Sequence, residues 1–378
     1  MKIHIIGYLV RQKKSCKKFH ALFFITYLFL ILKPSLSYSQ DDTTSYIKNF
    51  SIKGYVDAYY AWDTDKDKTE RQFPAFEPYR DQFKLNITQI SLDYNSDKIR
   101  GKMTIQYGDI PVFLWPSNQQ YIQEANVGFS PYKGLWIDAG YFLTHIGAEG
   151  FPINSFFSSY AMGSYYEPNY QSGLRISYDF SEKFNGSLHI LNGYNMFDDN
   201  NKNKSFGLQL IYKPVAQLSF VYNNIIGNEM PSSENHPKTR ILNNFITYYS
   251  PNDKLDFIFG IDFTAQEKSG LSDSTASASM FAVMLSGRYK ITPKFYLSLR
   301  GEYLKDADGF LSGTFMDSDG NITGLNIFGI TGALEYRPVE NYFLRLESRF
   351  LSAENKLKIF YNNSNTRTEI TLNTGLEF

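Results

Sequence analysis

Cysteine is almost absent from this 378-residue chain: Cys16 is the only one, and it lies in a basic leader ahead of an apolar run. Disulfides, thiol catalysis and cysteine-ligated metals are therefore excluded for everything after that leader. Histidine is nearly as scarce, with only His145, His189 and His236 beyond residue 39, and none of these pair at metal-ligand spacing. Long hydrophobic runs are missing too. Hydrophobic residues make up 43% of the chain and aromatics 17%, yet the mean hydropathy is −0.34, so the apolar residues are dispersed. A helical membrane protein, which takes about 20 consecutive apolar residues per span, is excluded.

The one continuous apolar stretch, Ala21 to Leu32, follows a segment rich in Lys and Arg; seven basic residues and no acid precede Gln40. With a small-x-small site at Ser37-Tyr38-Ser39, residues 1–39 read as a cleavable signal peptide and 40–378 as one exported domain. Removing the leader leaves 38 minus 7, or 31, basic residues against 38 acidic ones, a net of −7. That balance offers a nucleic acid no basic surface.

What remains alternates with a period of two. Ile370, Leu372, Thr374, Leu376 and Phe378 share one face, and Glu369, Asn373, Gly375 and Glu377 the other. Segments of this kind predict a transmembrane antiparallel β-barrel with lipid outside and water inside. Sixteen strands are expected, at 49–62, 81–94, 98–108, 119–130, 134–145, 169–180, 184–194, 204–213, 216–226, 239–250, 254–266, 278–290, 294–305, 322–336, 341–351 and 366–378. Short turn-forming runs such as Asn95-Asp97 and Pro251-Asp253 alternate with long loops such as 146–168, the arrangement of short periplasmic turns and long extracellular loops. Aromatics at strand ends, among them Tyr59, Tyr60, Tyr94, Tyr107, Phe180, Tyr248 and Tyr336, are expected to form interfacial girdles. Three segments resist phasing: the chain slips between Ile87 and Ile90, and either face of 239–250 and 322–336 could point outward, which suggests bulges or a strand partly above the membrane.

Phe378, in phase with the last strand, resembles the C-terminal signature read by the outer-membrane assembly machinery. From the first strand to about Tyr178 the chain resembles the β-barrel porin type 2 family of Gram-negative outer membranes. The residues concerned are Gly54-Tyr55-Val56-Asp57-Ala58-Tyr59-Tyr60, Gln123-Glu124-Ala125-Asn126-Val127, and Ala139-Gly140-Tyr141-Phe142 leading into Ile146-Gly147-Ala148-Glu149, with Asn154, Ser158 and Gly173-Leu174 beyond. The resemblance implies a porin in the outer membrane.

A barrel of sixteen strands leaves room for an aqueous channel. By phase, the pore-lining candidates are Lys53, Asp57, Arg100, Lys102, Glu124, Asp138, Arg175, Asp179, Asp262, Arg288, Arg300, Glu302, Arg345, Glu347 and Arg349, since Arg or Lys against lipid would cost about 2–4 kcal/mol at the midplane. They would either set a field across the pore or brace its wall as ion pairs. The loop 146–168 is rich in aromatics, so its apolar groups need a place to pack. One expectation folds it into the barrel as a constriction, with Glu149, Phe156, Phe157, Tyr160 and Glu167 there; the other lays it on the rim or against a neighbouring subunit.

Catalysis has little to stand on. His145 near Glu149, Ser155, Ser158 and Ser159 is the best Ser/His/acid set the sequence offers, and there is no G-x-S-x-G elbow. The Asp-rich pieces at 63–67, 306–309 and 317–320 lack the terminal Glu of a calcium loop, so no metal or cofactor is expected. The sequence reading is thus passive diffusion of ions and small hydrophilic solutes, with a homotrimer by analogy with barrels of this size. The alternative is a closed barrel that adheres or binds through its outer loops.

Overall fold

The structure, a computed structural model, describes residues 48–378 apart from 66–67, 74–75, 235 and 355–356; the leader and its cleavage site lie outside the described residues. Sixteen strands form one closed antiparallel barrel. In chain order they are β1 (Phe50–Asp63), β2 (Phe83–Asn95), β3 (Ile99–Tyr107), β4 (Ile122–Tyr132), β5 (Leu135–Leu143), β6 (Tyr170–Ser181), β7 (Phe184–Leu191), β8 (Ser205–Val215), β9 (Leu218–Asn228), β10 (Thr239–Asn252), β11 (Leu255–Gln266), β12 (Ala278–Thr292), β13 (Phe295–Asp306), β16 (Leu325–Tyr336), β17 (Tyr342–Ala353) and β18 (Thr366–Glu377). Between β13 and β16 sits a separate small hairpin, β14 (Phe315–Met316) with β15 (Ile322–Thr323). The expected strand at 322–336 therefore starts at Leu325, because its first residues pair within that hairpin instead.

Alternation explains the wall. On β17 the outward Leu344, Leu346 and Phe350 are exposed while the intervening Arg345, Glu347 and Arg349 are buried. Charge is thereby kept off the lipid face, where it is costly. Outward rings meet near both rims: Phe50 on Tyr94 and Phe295 on Tyr336 by the short turns, and Tyr60 on Phe83 and Tyr107 of β3 near Tyr121 of the following loop by the long loops. Two of the expected girdle residues instead turn inward: Tyr59 donates to Asp109 and Tyr248 to the Ala148 carbonyl.

Closure joins β1 to β18, with Tyr55 opposite Glu377 and Asp63 opposite Glu369. Gly54 and Phe378 exchange backbone hydrogen bonds of 2.6 and 2.9 Å. A Cβ on Gly54 would meet the Phe378 ring at 2.3 Å, so glycine is what lets the terminal ring lie across the seam. The phase slip in β2 is a bulge: Asp57 faces Ile87 and Ala58 faces Leu85, leaving Asn86 extra.

The long loops include 64–82 (L1), 108–121 (L2), 144–169 (L3) and 192–204 (L4). L2 carries the short helix α1 (Asp109–Leu114), and L3 carries α2 (Met162–Tyr165). The two strands with ambiguous phase owe this to L3. Leu242 and Ile246 of β10, and Leu325, Ile327 and Ala333 of β16, are buried although they face inward. Leu242 joins Ile146, Ala333 joins Phe156 and Phe157, and Leu325 with Ile327 joins Met162.

Candidate functional site: the barrel interior

L3 is tied to the inward face of β12–β17 largely through its own main chain. The N–H groups of Ser158 and Ser159 donate to Glu347 at 2.6 and 3.2 Å, and that of Met162 donates to Glu302 at 2.5 Å. Arg345 donates to the carbonyls of Pro152 (2.9 Å) and Ser155 (2.8 Å) and pairs with Glu335. Arg300 donates to the Ser159 carbonyl at 2.9 Å and pairs with Glu149 at 2.6 Å. Arg349 pairs with Glu302 at 2.8 Å. The guanidinium of Arg300 lies over Phe157, and that of Arg288, which pairs with Asp256, over Phe156.

The carboxylates of L3 are engaged as well. Glu149 accepts from the Ala161 N–H at 2.7 Å in addition to Arg300. Glu167 lies against Asp262 and accepts from Asn244 at 3.3 Å. Burial first, and then the charge of Asp262, push the Glu167 carboxyl well above the usual carboxylate range. Gly147, at φ +105°, leaves the room this needs, since a Cβ there would meet Glu167 Oε2 at 2.6 Å. Tyr160 is covered by Phe76 of L1, ring centres 4.1 Å apart.

L1 makes the second inward layer, which sequence reasoning missed. Arg71 pairs with Glu369 (2.5 Å) and Asp63 (3.3 Å), Arg80 with Asp63 (3.2 Å), and Arg367 donates to the Gln72 carbonyl at 2.6 Å. Loop arginines at 71 and 80 carry no strand phase, so nothing in the pattern marks them. Arg367 and Glu369 of β18 were not among the pore-lining candidates, although their inward strand phase marks them.

The opposite wall differs. Arg100 and Arg175 share Asp138, and Lys102 pairs with Glu124 at 2.5 Å. Asp57 is buried and accepts from Tyr55, Asn86 and Asn373, whereas Lys53 and Asp179 are exposed. Between the two walls runs an amide ladder. Gln209 donates to Asn223 (2.9 Å), Asn223 to Asn244 (2.7 Å) and Asn244 to Asp262 (2.6 Å), each pair directly opposite in register from β8 to β11. A search for charged residues alone passes over it.

His145 is not brought to the serines of L3. Its ring stacks on His189, centres 4.0 Å apart, and its Nε2 donates to the Asn224 carbonyl at 3.0 Å. Ser187 Oγ is 2.8 Å from His189 Nε2. Among the described residues no three His, Cys, Asp or Glu side chains gather as metal ligands. The Asp-rich loop pieces cap turns: Asp306 accepts the N–H groups of Phe310, Leu311 and Ser312, and Asp65 those of Tyr361 and Asn362.

Three cavities line up beside L3. The outer one, about 440 Å³, shares Leu114, Glu167 and Asn169 with a central one of about 310 Å³. The central one shares Gln209 with an inner one of about 280 Å³ that reaches Arg100, Arg175 and Asp179.

The whole barrel, residues 49–378, matches the family described as "Putative beta-barrel porin-2, OmpL-like". The chain belongs to that family. This porin also shares its fold with solved outer-membrane barrels. The outer membrane channel DcaP of Acinetobacter baumannii is 12% identical with a TM-score of 0.59, covering 87% of this chain and 97% of that one. An anion-selective porin from Comamonas acidovorans is 10% identical with a TM-score of 0.58, covering 87% and 99%. In-vitro folded OmpT of Vibrio cholerae, in its trimer form, is 11% identical with a TM-score of 0.55, covering 87% and 99%. No curated protein matches this porin in sequence.

Proposed function

We propose that this porin is a passive diffusion channel for small hydrophilic solutes across the outer membrane, with L3 as its constriction. The observation that carries this reading is the set of three cavities with shared lining residues beside an anchored L3, on the side of the amide ladder and the stacked histidines. Buried ion pairs hold the loop on one side and leave solvated charge on the other, so the barrel is narrowed without being filled. The described channel and porin relatives support transport over the alternative of a closed adhesive barrel. A trimer is our reading of the quaternary state, supported by the trimer form of the Vibrio cholerae relative.

The test is single-channel conductance in planar bilayers for the intact chain and for a deletion of residues 151–166. Steady openings that grow several-fold on deletion support the reading. Unchanged conductance removes L3 as the constriction, and silence in both proteins leaves a closed barrel.

A further inference from the structure

We propose that the outer and central cavities select neutral polyhydroxylated solutes of single-ring size, gripped by aromatic faces and hydrogen bonds instead of charge. This deepens the channel reading above and rests on it. The outer cavity is walled by Phe73, Phe113, Tyr165, Tyr166 and Tyr194. The central one continues with Trp115, Phe151 and Tyr160. Ring faces carry partial negative charge and offer a large apolar area, which suits the C–H face of a cyclic polyol. Between the rings stand neutral hydrogen-bonding groups: Asn195 and Ser312 in the outer cavity, Thr144, Ser164 and Gln209 in the central one, and Asn169 in both. These can replace the water that the hydroxyl groups give up.

Charge is nearly absent from this stretch. Among the described residues its only Asp, Glu, Lys or Arg side chains are Glu149 and Glu167. Glu149 is held by Arg300 and the Ala161 N–H, and Glu167 is buried, accepts from Asn244 and lies against Asp262. An ion passing these walls loses hydration and finds no free countercharge, which is costly. A neutral polyol exchanges one set of hydrogen bonds for another. The central cavity, about 310 Å³, sits at the small end of the roughly 300–1,000 Å³ usual for ligand pockets, room for one ring.

The experiment uses the full porin in phospholipid vesicles loaded in turn with glucose, gluconate and glucosamine, three solutes of similar size and different charge, with KCl conductance measured on the same preparation. Glucose is expected to exchange at least about tenfold faster than either ion, a free-energy difference of about 1.4 kcal/mol. Tyr165→Ala, and Phe113→Ala as a second variant, should slow glucose by about three- to tenfold, with insertion of each variant verified by its KCl conductance. Equal rates for the three solutes, or a faster charged one, in a preparation that conducts KCl overturn the selectivity while leaving the channel standing. A preparation that conducts no KCl and passes none of the three solutes overturns both.

Discussion

Arg345 on β17 and Arg175 on β6 both point into the lumen, yet the first side chain is 0% exposed and the second 31%. Arg300 and Arg349 resemble the first, at 0% and 3%, and Arg100 and Lys102 the second, at 28% and 39%. Identical chemistry in identical phase thus serves two purposes. Where L3 covers the wall, a guanidinium is a bracket for peptide carbonyls; where it does not, the same group meets solvent and solute. Inward phase tells which way a charge points, and the loop decides what it does there.

Breaking a bracket should have the largest effect. Arg345→Ala leaves Glu335 to Arg337 alone and frees two L3 carbonyls, and losing these buried charge-assisted hydrogen bonds costs about 3 kcal/mol. Limited proteolysis should then cut within 150–160, and conductance should rise; an L3 that stays resistant would contradict the anchoring. Next comes Asn223→Ala in the amide ladder, which leaves partners on Gln209 and Asn244 unmet at about 1–3 kcal/mol. It should lower the thermal unfolding midpoint without changing charge preference.

A smaller effect concerns pH. Glu167 faces Asp262 on β11, Asn244 on β10, and Glu149 and Ser164 within L3. Its folded-state value is raised, so its stabilising contribution is complete below the ordinary carboxylate range and is lost as pH climbs through the raised value. Alkaline solution should therefore loosen L3 and turn the reversal potential towards cations. Glu167→Gln should flatten that pH response, and an unchanged profile would refute the assignment. Least costly is Arg175→Gln on the open wall: stability should move by no more than about 1 kcal/mol, while the reversal potential shifts towards cations. A large loss of stability there would erase the distinction between the walls.

Most of the barrel could be read in the sequence because two constraints act at every strand residue. Lipid demands an apolar face, and a strand puts the next side chain on the other face. That is enough to count sixteen strands. It fails where a third partner enters. Leu242 and Ile327 looked unphased because L3 supplies an apolar surface inside the barrel. The aromatic content of L3 announced that the loop must pack somewhere, but not which wall would receive it, since main-chain hydrogen bonds to Glu302 and Glu347 leave no mark on the loop's own side chains. L1 was illegible for a related reason: Phe76 and Arg71 belong to no repeating pattern.

The fastening of L3 by its peptide groups has a consequence for how such a channel can change. At Ser155, Ser158 and Met162 the wall grips N–H and C=O, which every residue other than proline supplies alike, so at these points the path of the loop is indifferent to the side chain, while Glu149, Phe156, Phe157 and Glu167 hold it through theirs. Substitutions at other L3 residues can alter what the lumen greets without moving the strap itself. A family of filters could be written onto one frame, each differing only in the letters that face the passing molecule.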